Sequence, residues 1–196
     1  MKIIEDLKVQ IFADGADKES MMEMYSKSYI KGLTTNPTLM RKAGITNYRA
    51  FCKDILSHIK DKPLSFEVFS DDFVEMERQA LEIASWADNV FVKIPVTNTK
   101  QRTCYELVSK LGLQQVKMNV TAIMTIQQVQ NVVAALNPNV PSYVSVFAGR
   151  IADTGRDPVP MMAAAVEILK VAPTSKLIWA SPVSYTHLTL PTNREV

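Results

Sequence analysis

VFVKIPVT, residues 90–97, is the stretch that decides the fold. Val90, Val92 and Ile94 alternate with Phe91 and Lys93, so a strand here has one apolar face and one face with a lysine beside an aromatic ring. Six more short runs rich in Val, Ile and Phe accompany it: Val9–Asp14, Leu33–Asn36, Leu64–Phe69, Val116–Thr121, Tyr143–Phe147 and Lys176–Ser181. Their starts lie about 28 residues apart, the length of a strand, a helix and two short loops. Between them come stripes of helical spacing. Phe73, Met76, Ala80, Ile83 and Ala87 follow the cap-like Ser70-Asp71-Asp72; Ile126, Val129, Val133 and Leu136 follow Thr125; Met161, Met162, Ala165, Ile168 and Leu169 follow Asp157-Pro158.

Strands alternating with helices make a parallel sheet, either open or closed into a barrel. One row of strand residues is apolar throughout: Val9, Ile11, Ala13, Leu64, Phe66, Val68, Val90, Val92, Ile94, Val116, Met118, Val120, Val144, Val146, Ile178 and Ala180. The other mixes aromatic residues with Asp14, Thr34, Asn36, Ser65, Glu67, Lys93, Asn119, Thr121, Ser145 and Ser181, with Leu177 and Trp179 in its last strand. Its polar members gather toward the C-terminal halves of their strands. A sheet covered by helices on both faces is apolar on both, whereas a barrel builds its site at the C-terminal mouth. The pattern predicts a (β/α)8 TIM-type barrel of the α/β class.

Composition narrows the function. The 196 residues are 47% hydrophobic and 21% charged, with 22 Lys and Arg against 20 Asp and Glu, so a net charge of +2 supplies no polycationic stripe for nucleic acid. Cys52 and Cys104 lie far apart, and the two histidines, His58 and His187, have no ligand set around them, so no metal site is expected. No nucleotide-binding glycine motif and no GxSxG elbow occurs. With no signal-like or membrane-spanning apolar run, the expected location is the cytoplasm.

The mixed row has its own chemistry. An inward lysine must be paired, because an isolated buried charge costs several kcal/mol. A structural ion pair between Lys93 and Glu67 or Asp14 would satisfy that need. The same groups also suit catalysis: desolvation favours the neutral amine, and a neutral lysine facing a sugar carbonyl can form a Schiff base, with no metal or cofactor. Asp14 and Glu67 are the acid/base candidates, Asn36, Asn119 and Ser145 suit sugar hydroxyls, and Arg150 with Ser181 is placed for a phosphate.

Seven strings in order, IFADGAD, GLTTNPTL, SFEVFS, VFVKIPVT, MNVTAI, SVFAGRIADTG and WASP, resemble the transaldolases, and most closely the small subfamily that includes the fructose-6-phosphate aldolases. The resemblance implies a barrel with the Schiff-base lysine on strand four, at Lys93. It implies Asp14 as acid/base for the substrate hydroxyl, and Glu67 with Thr121 as the pair that activates a catalytic water. Thr34, Asn36, Asn119, Ser145 and Phe147 would line the substrate, with Arg150 and Ser181 toward its phosphate. Glu67 and Phe147 stand where the aldolases have Gln and Tyr. That favours transfer of dihydroxyacetone from sedoheptulose 7-phosphate to glyceraldehyde 3-phosphate, a pentose phosphate pathway step, over fructose-6-phosphate cleavage. The implied partners are sugar phosphates, with neither nucleic acid nor membrane, and the full-length parent is expected to be a homo-oligomer.

After Pro182 the resemblance stops. Residues 1–182 are the expected barrel domain; Val183–Val196 match nothing in the family and read as a read-through or assembly artefact. The barrel is therefore expected to be incomplete, with seven strands and the eighth missing or replaced. An inactive fragment is the outcome if the gap floods the site.

Overall fold

The computed structural model describes residues 8–181. Its elements run β1 (Ile11–Asp14), α1 (Lys18–Ser26), β2 (Ile30–Thr34), α2 (Pro37–Lys42), α3 (Tyr48–His58), β3 (Leu64–Glu67), α4 (Phe73–Ala84), β4 (Val90–Pro95), α5 (Tyr105–Leu113), β5 (Met118–Ile123), α6 (Ile126–Ala135), β6 (Ser142–Val146), α7 (Ala148–Asp153), α8 (Val159–Leu169) and β7 (Ser175–Trp179). All seven strands are parallel and lie in chain order in one sheet. Side chains start five of the helices, at Asp72 and Thr125 where the sequence pattern places a cap. Asp17, Asn36, Asn47, Asp72 and Thr125 each accept a backbone N–H of the first turn, and Thr125 with Gln128 completes a capping box.

Helices cover one face of the sheet, and the apolar row packs beneath them: Leu64, Phe66, Val92, Ile94, Met118, Val120, Val144 and Val146 are fully buried. The other face curls on itself. Phe12 of β1 meets Tyr143 of β6 with ring centroids 5.3 Å apart, and Tyr143 meets Phe91 of β4 at 4.5 Å. Strands five places apart in the sheet touch across its concave side only if the sheet is rolled. Gly32 makes room for this floor, since a Cβ there would lie 2.2 Å from Cε1 of Phe12. The fold is an incomplete (β/α)8 barrel. Among the described residues no strand pairs with the outer edge of β1 or β7, although Lys176 Nζ donates to Gln10 Oε1 at 3.0 Å between them.

Three expectations are corrected. Val9 is not a core residue; it precedes β1 and is 69% exposed. β2 begins at Ile30 and ends at Thr34, so Asn36 caps α2 instead of ending a strand. The phase of β7 is the reverse of that expected: Ser145 pairs with Ile178, while Leu177 and Trp179 align with Val144 and Val146 and pack toward the helices. Both rows of this strand are apolar enough to face either way, and a Trp and a Leu find more apolar surface under the helices. Residues Val183–Val196 lie outside those described. Among the described residues no helix is long and apolar enough to cross a membrane, and no group of three or more His, Cys, Asp or Glu is arranged to hold a metal ion.

Candidate active site

The site is built where β2 parts from β3. Their last backbone bond runs from Thr35 N–H to Ser65 O at 3.1 Å. Pro37 then restricts Asn36 to extended backbone and opens α2, so the ladder stops. The Thr35 carbonyl, released from the sheet, accepts Lys93 Nζ at 3.1 Å. Lys93 is only 9% exposed, and its Nζ also lies 3.3 Å from Oε2 of Glu67, its register partner on β3. Burial of Glu67 raises its carboxyl above the ordinary range; Lys93 opposes that rise, and Asp14 adds to it.

Asp14, at the end of β1, is held from the neighbouring strand. Thr34 Oγ1 donates to its Oδ1 at 2.8 Å, and Asn36 Nδ2 to its Oδ2 at 3.3 Å. Asn36 serves twice, because its Oδ1 also accepts the Leu39 N–H at 3.0 Å. On the far side of Lys93 a buried chain crosses the concave face: Ser145 Oγ donates to Asn119 Oδ1 at 2.6 Å, and Asn119 Nδ2 to Ser65 Oγ at 3.1 Å. Asn119 aligns with Lys93 in the β4–β5 register. One lysine, two carboxylates and a fixed amide thus share the mouth of the barrel.

The remaining candidates are less closely joined. Thr121 is buried and aligns with Pro95, just before the β5 bulge at Ala122, whose φ is 61°; no direct hydrogen bond links it to Glu67. Phe147 is the residue before α7, with its N–H on Ile123 O at 2.8 Å. Arg150 sits on α7, exposed, with Nη1 3.2 Å from Oδ2 of Asp153. Ser181 lies beyond β7 at φ 60°. Two clefts open among the loops outside the lysine site. One of about 420 Å³ is lined by Asp71, Phe73, Asn98, Lys100 and Arg102, and one of about 330 Å³ by Pro37, Met40, Ile45, Tyr48 and Phe69.

A family model described as transaldolase/fructose-6-phosphate aldolase matches residues 11–190, which takes in every residue of the site and runs eight residues past Pro182, where the sequence reading expects the likeness to stop. The chain belongs to the transaldolase/fructose-6-phosphate aldolase family. It is 35% identical over 162 residues to a "Probable transaldolase" of Dehalococcoides mccartyi, an alignment that covers 83% of this chain and 71% of that protein. A "Probable transaldolase" of Clostridium kluyveri is 33% identical over 163 residues, with 83% of this chain and 71% of the relative covered. One from Roseiflexus castenholzii is 31% identical over 177 residues, with 90% and 77% covered. This transaldolase/fructose-6-phosphate aldolase family member thus spans about seven-tenths of the length of such relatives.

Three groups around the site were not singled out from the sequence. Ser65 had a signal, since it stands in the mixed row two residues before Glu67. The Thr35 carbonyl had a weaker one in the Thr-Asn-Pro step that ends the ladder. Tyr48, whose hydroxyl donates to the Glu67 main-chain oxygen at 2.9 Å, had none, because α3 packs outside the barrel and its link is to backbone.

Proposed function

We propose that the chain is a transaldolase that carries dihydroxyacetone between sugar phosphates on Lys93. The observation that carries this reading is the enclosure of the Lys93 amine between the Glu67 carboxylate at 3.3 Å and the Thr35 carbonyl at 3.1 Å, inside the barrel mouth. Glu67 is the nearest base to take a proton from the ammonium. The free amine adds to the ketone carbon of fructose 6-phosphate or sedoheptulose 7-phosphate, and the carbinolamine loses water to give an iminium. Asp14 then takes the proton of the C4 hydroxyl, the C3–C4 bond breaks, and its electron pair moves into the iminium as an enamine. The aldose phosphate leaves. The enamine adds to an acceptor aldehyde, Asp14 returns the proton to the new alkoxide, and water admitted through Glu67 and Thr121 releases the product ketose.

Binding follows the same groups. Thr34 and Asn36 orient Asp14; Asn119 and Ser145 meet the dihydroxyacetone hydroxyls; Phe147, Arg150 and Ser181 lie toward the phosphate. Arg150 holds Asp153 with one guanidinium nitrogen and keeps the others for a phosphate. Glu67 and Phe147 favour transfer over simple aldol cleavage.

The test is borohydride reduction in the presence of fructose 6-phosphate, followed by peptide mass mapping. A dihydroxyacetone adduct on Lys93, lost in Lys93→Met, is expected. An adduct on a different lysine, or turnover by Lys93→Met, refutes the assignment. Consumption of fructose 6-phosphate without erythrose 4-phosphate as acceptor identifies an aldolase instead.

A further inference from the structure

The divergence of β2 from β3 leaves the β2-facing side of the end of β3 without a strand partner, while just beyond it the Phe69 and Ser70 N–H groups are held by Gln79 Oε1 at 2.8 and 3.1 Å. Beyond Ser65 no backbone bond joins β3 to β2 among the described residues, and on the β4 side Val68 N–H reaches Lys93 O at 3.1 Å. The Glu67 carbonyl faces away from that bond and finds its partner outside the barrel, where the Tyr48 hydroxyl donates to it at 2.9 Å. Tyr48 is itself well fixed. It is the first residue of α3, behind Asn47, whose Oδ1 accepts the Ala50 N–H at 3.0 Å. Its ring stands edge-on to Phe69 at 4.5 Å and tilted against Trp86 at 6.0 Å.

The bond has one polarity. Burial first, and Cys52 beside it next, hold the Tyr48 phenol well above the usual tyrosine range, so the hydroxyl stays a donor at any working pH. A main-chain carbonyl only accepts. The tether therefore does not titrate with the site it serves.

We infer that Tyr48 is a positioning residue, which fixes the Glu67 main chain at the end of β3 and so holds the Glu67 carboxylate against the Lys93 amine. This rests on the roles proposed above for Lys93 and Glu67. Losing the tether lets the strand end tilt toward solvent, and Glu67 gains water. Because burial is the largest cause of its raised carboxyl, that gain brings the group back toward the ordinary glutamate range. A catalytic group displaced by about 1 Å costs up to roughly 10²-fold in rate, so kcat should fall about tenfold or more, with KM for fructose 6-phosphate within about twofold.

The experiment titrates the Glu67 carboxyl carbon by NMR in the whole chain labelled with ¹³C-glutamate, its resonance assigned by disappearance in Glu67→Gln, alongside steady-state kinetics. In Tyr48→Phe the midpoint should fall and kcat should drop. In Trp86→Phe, which loosens the same ring stack but leaves the hydroxyl bond, the thermal midpoint should fall while the Glu67 midpoint stays where it is. An unchanged Glu67 midpoint in Tyr48→Phe, or an equal shift in Trp86→Phe, overturns the inference. If the wild type forms no borohydride adduct on Lys93, the proposed function fails, while the Glu67 titration still decides what Tyr48 does.

Discussion

Lys93→Met keeps most of the side-chain volume and removes the charge, leaving Glu67 in place with its side chain 16% exposed. Burial and Asp14 raise the Glu67 carboxyl and Lys93 opposes them, so the variant raises it further above its ordinary value of 4.5. A carboxyl that binds its proton more tightly folded than unfolded gives stability that is full below the unfolded value and lost as pH rises through the folded one. The loss accrues at about 1.4 kcal/mol per pH unit, so at pH 7, roughly 2.5 units above the unfolded value, it has a ceiling of about 3.4 kcal/mol. That ceiling agrees with the 3–5 kcal/mol or so that removing one partner of a buried pair costs. At pH 5 the ceiling is only about 0.7 kcal/mol. Urea unfolding of Lys93→Met and of Lys93→Met/Glu67→Gln at the two pH values measures the difference directly. The double variant should be the more stable at pH 7, with the gap closing at pH 5. A gap of the same size at both pH values would show that Glu67 is not held in a dry site, and the account of the ion pair would fail with it.

Gly32→Ala should destabilise the barrel by about 1–3 kcal/mol, because its new methyl would lie 2.2 Å from a Phe12 ring carbon. Adding Phe12→Leu should recover part of the loss in the same unfolding assay, and no recovery would mean that the strain lies elsewhere. Asn119→Ala strands two buried hydroxyls, Ser65 and Ser145, and should cost about 2 kcal/mol, with a smaller additional loss on adding Ser145→Ala than Ser145→Ala causes alone. Arg150→Ala removes an exposed ion pair, so stability should stay within about 0.5 kcal/mol, while KM for fructose 6-phosphate rises about tenfold through loss of a charged phosphate contact. An unchanged KM would take Arg150 out of the phosphate site.

How much of this was legible varies by strand, for a physical reason. In β3 to β6 one row holds Ser65, Glu67, Lys93, Asn119 and Ser145 and the other, apart from Ser142 at the start of β6, only apolar residues, so the period-two contrast sets the phase without any knowledge of neighbours. In β7 that contrast vanishes. Lys176, Ile178 and Ala180 in one row and Leu177, Trp179 and Ser181 in the other carry about the same hydropathy, and pairing with β6 decides which row faces inward. Arg150 was legible as a cation near the mouth, whereas its engagement with Asp153 required the helical turn of α7.

The site differs in kind from the sheet. Side-chain patterns report where side chains point, but two of the acceptors that organise this site are main-chain carbonyls, at Thr35 and Glu67. Such a group becomes available only where a ladder ends, and here the cause lies in three consecutive residues. Thr35 makes the last bond to β3, Asn36 turns its side chain back to cap α2, and Pro37 has no N–H with which to extend the sheet. The Thr-Asn-Pro step thus does more than end a strand. It exposes the carbonyl that Lys93 needs, aims Asn36 at Asp14, and leaves Glu67 to be secured from α3. A substitution that let β2 run on, such as Pro37→Val, would compete with Lys93 for its acceptor without touching any side chain of the site.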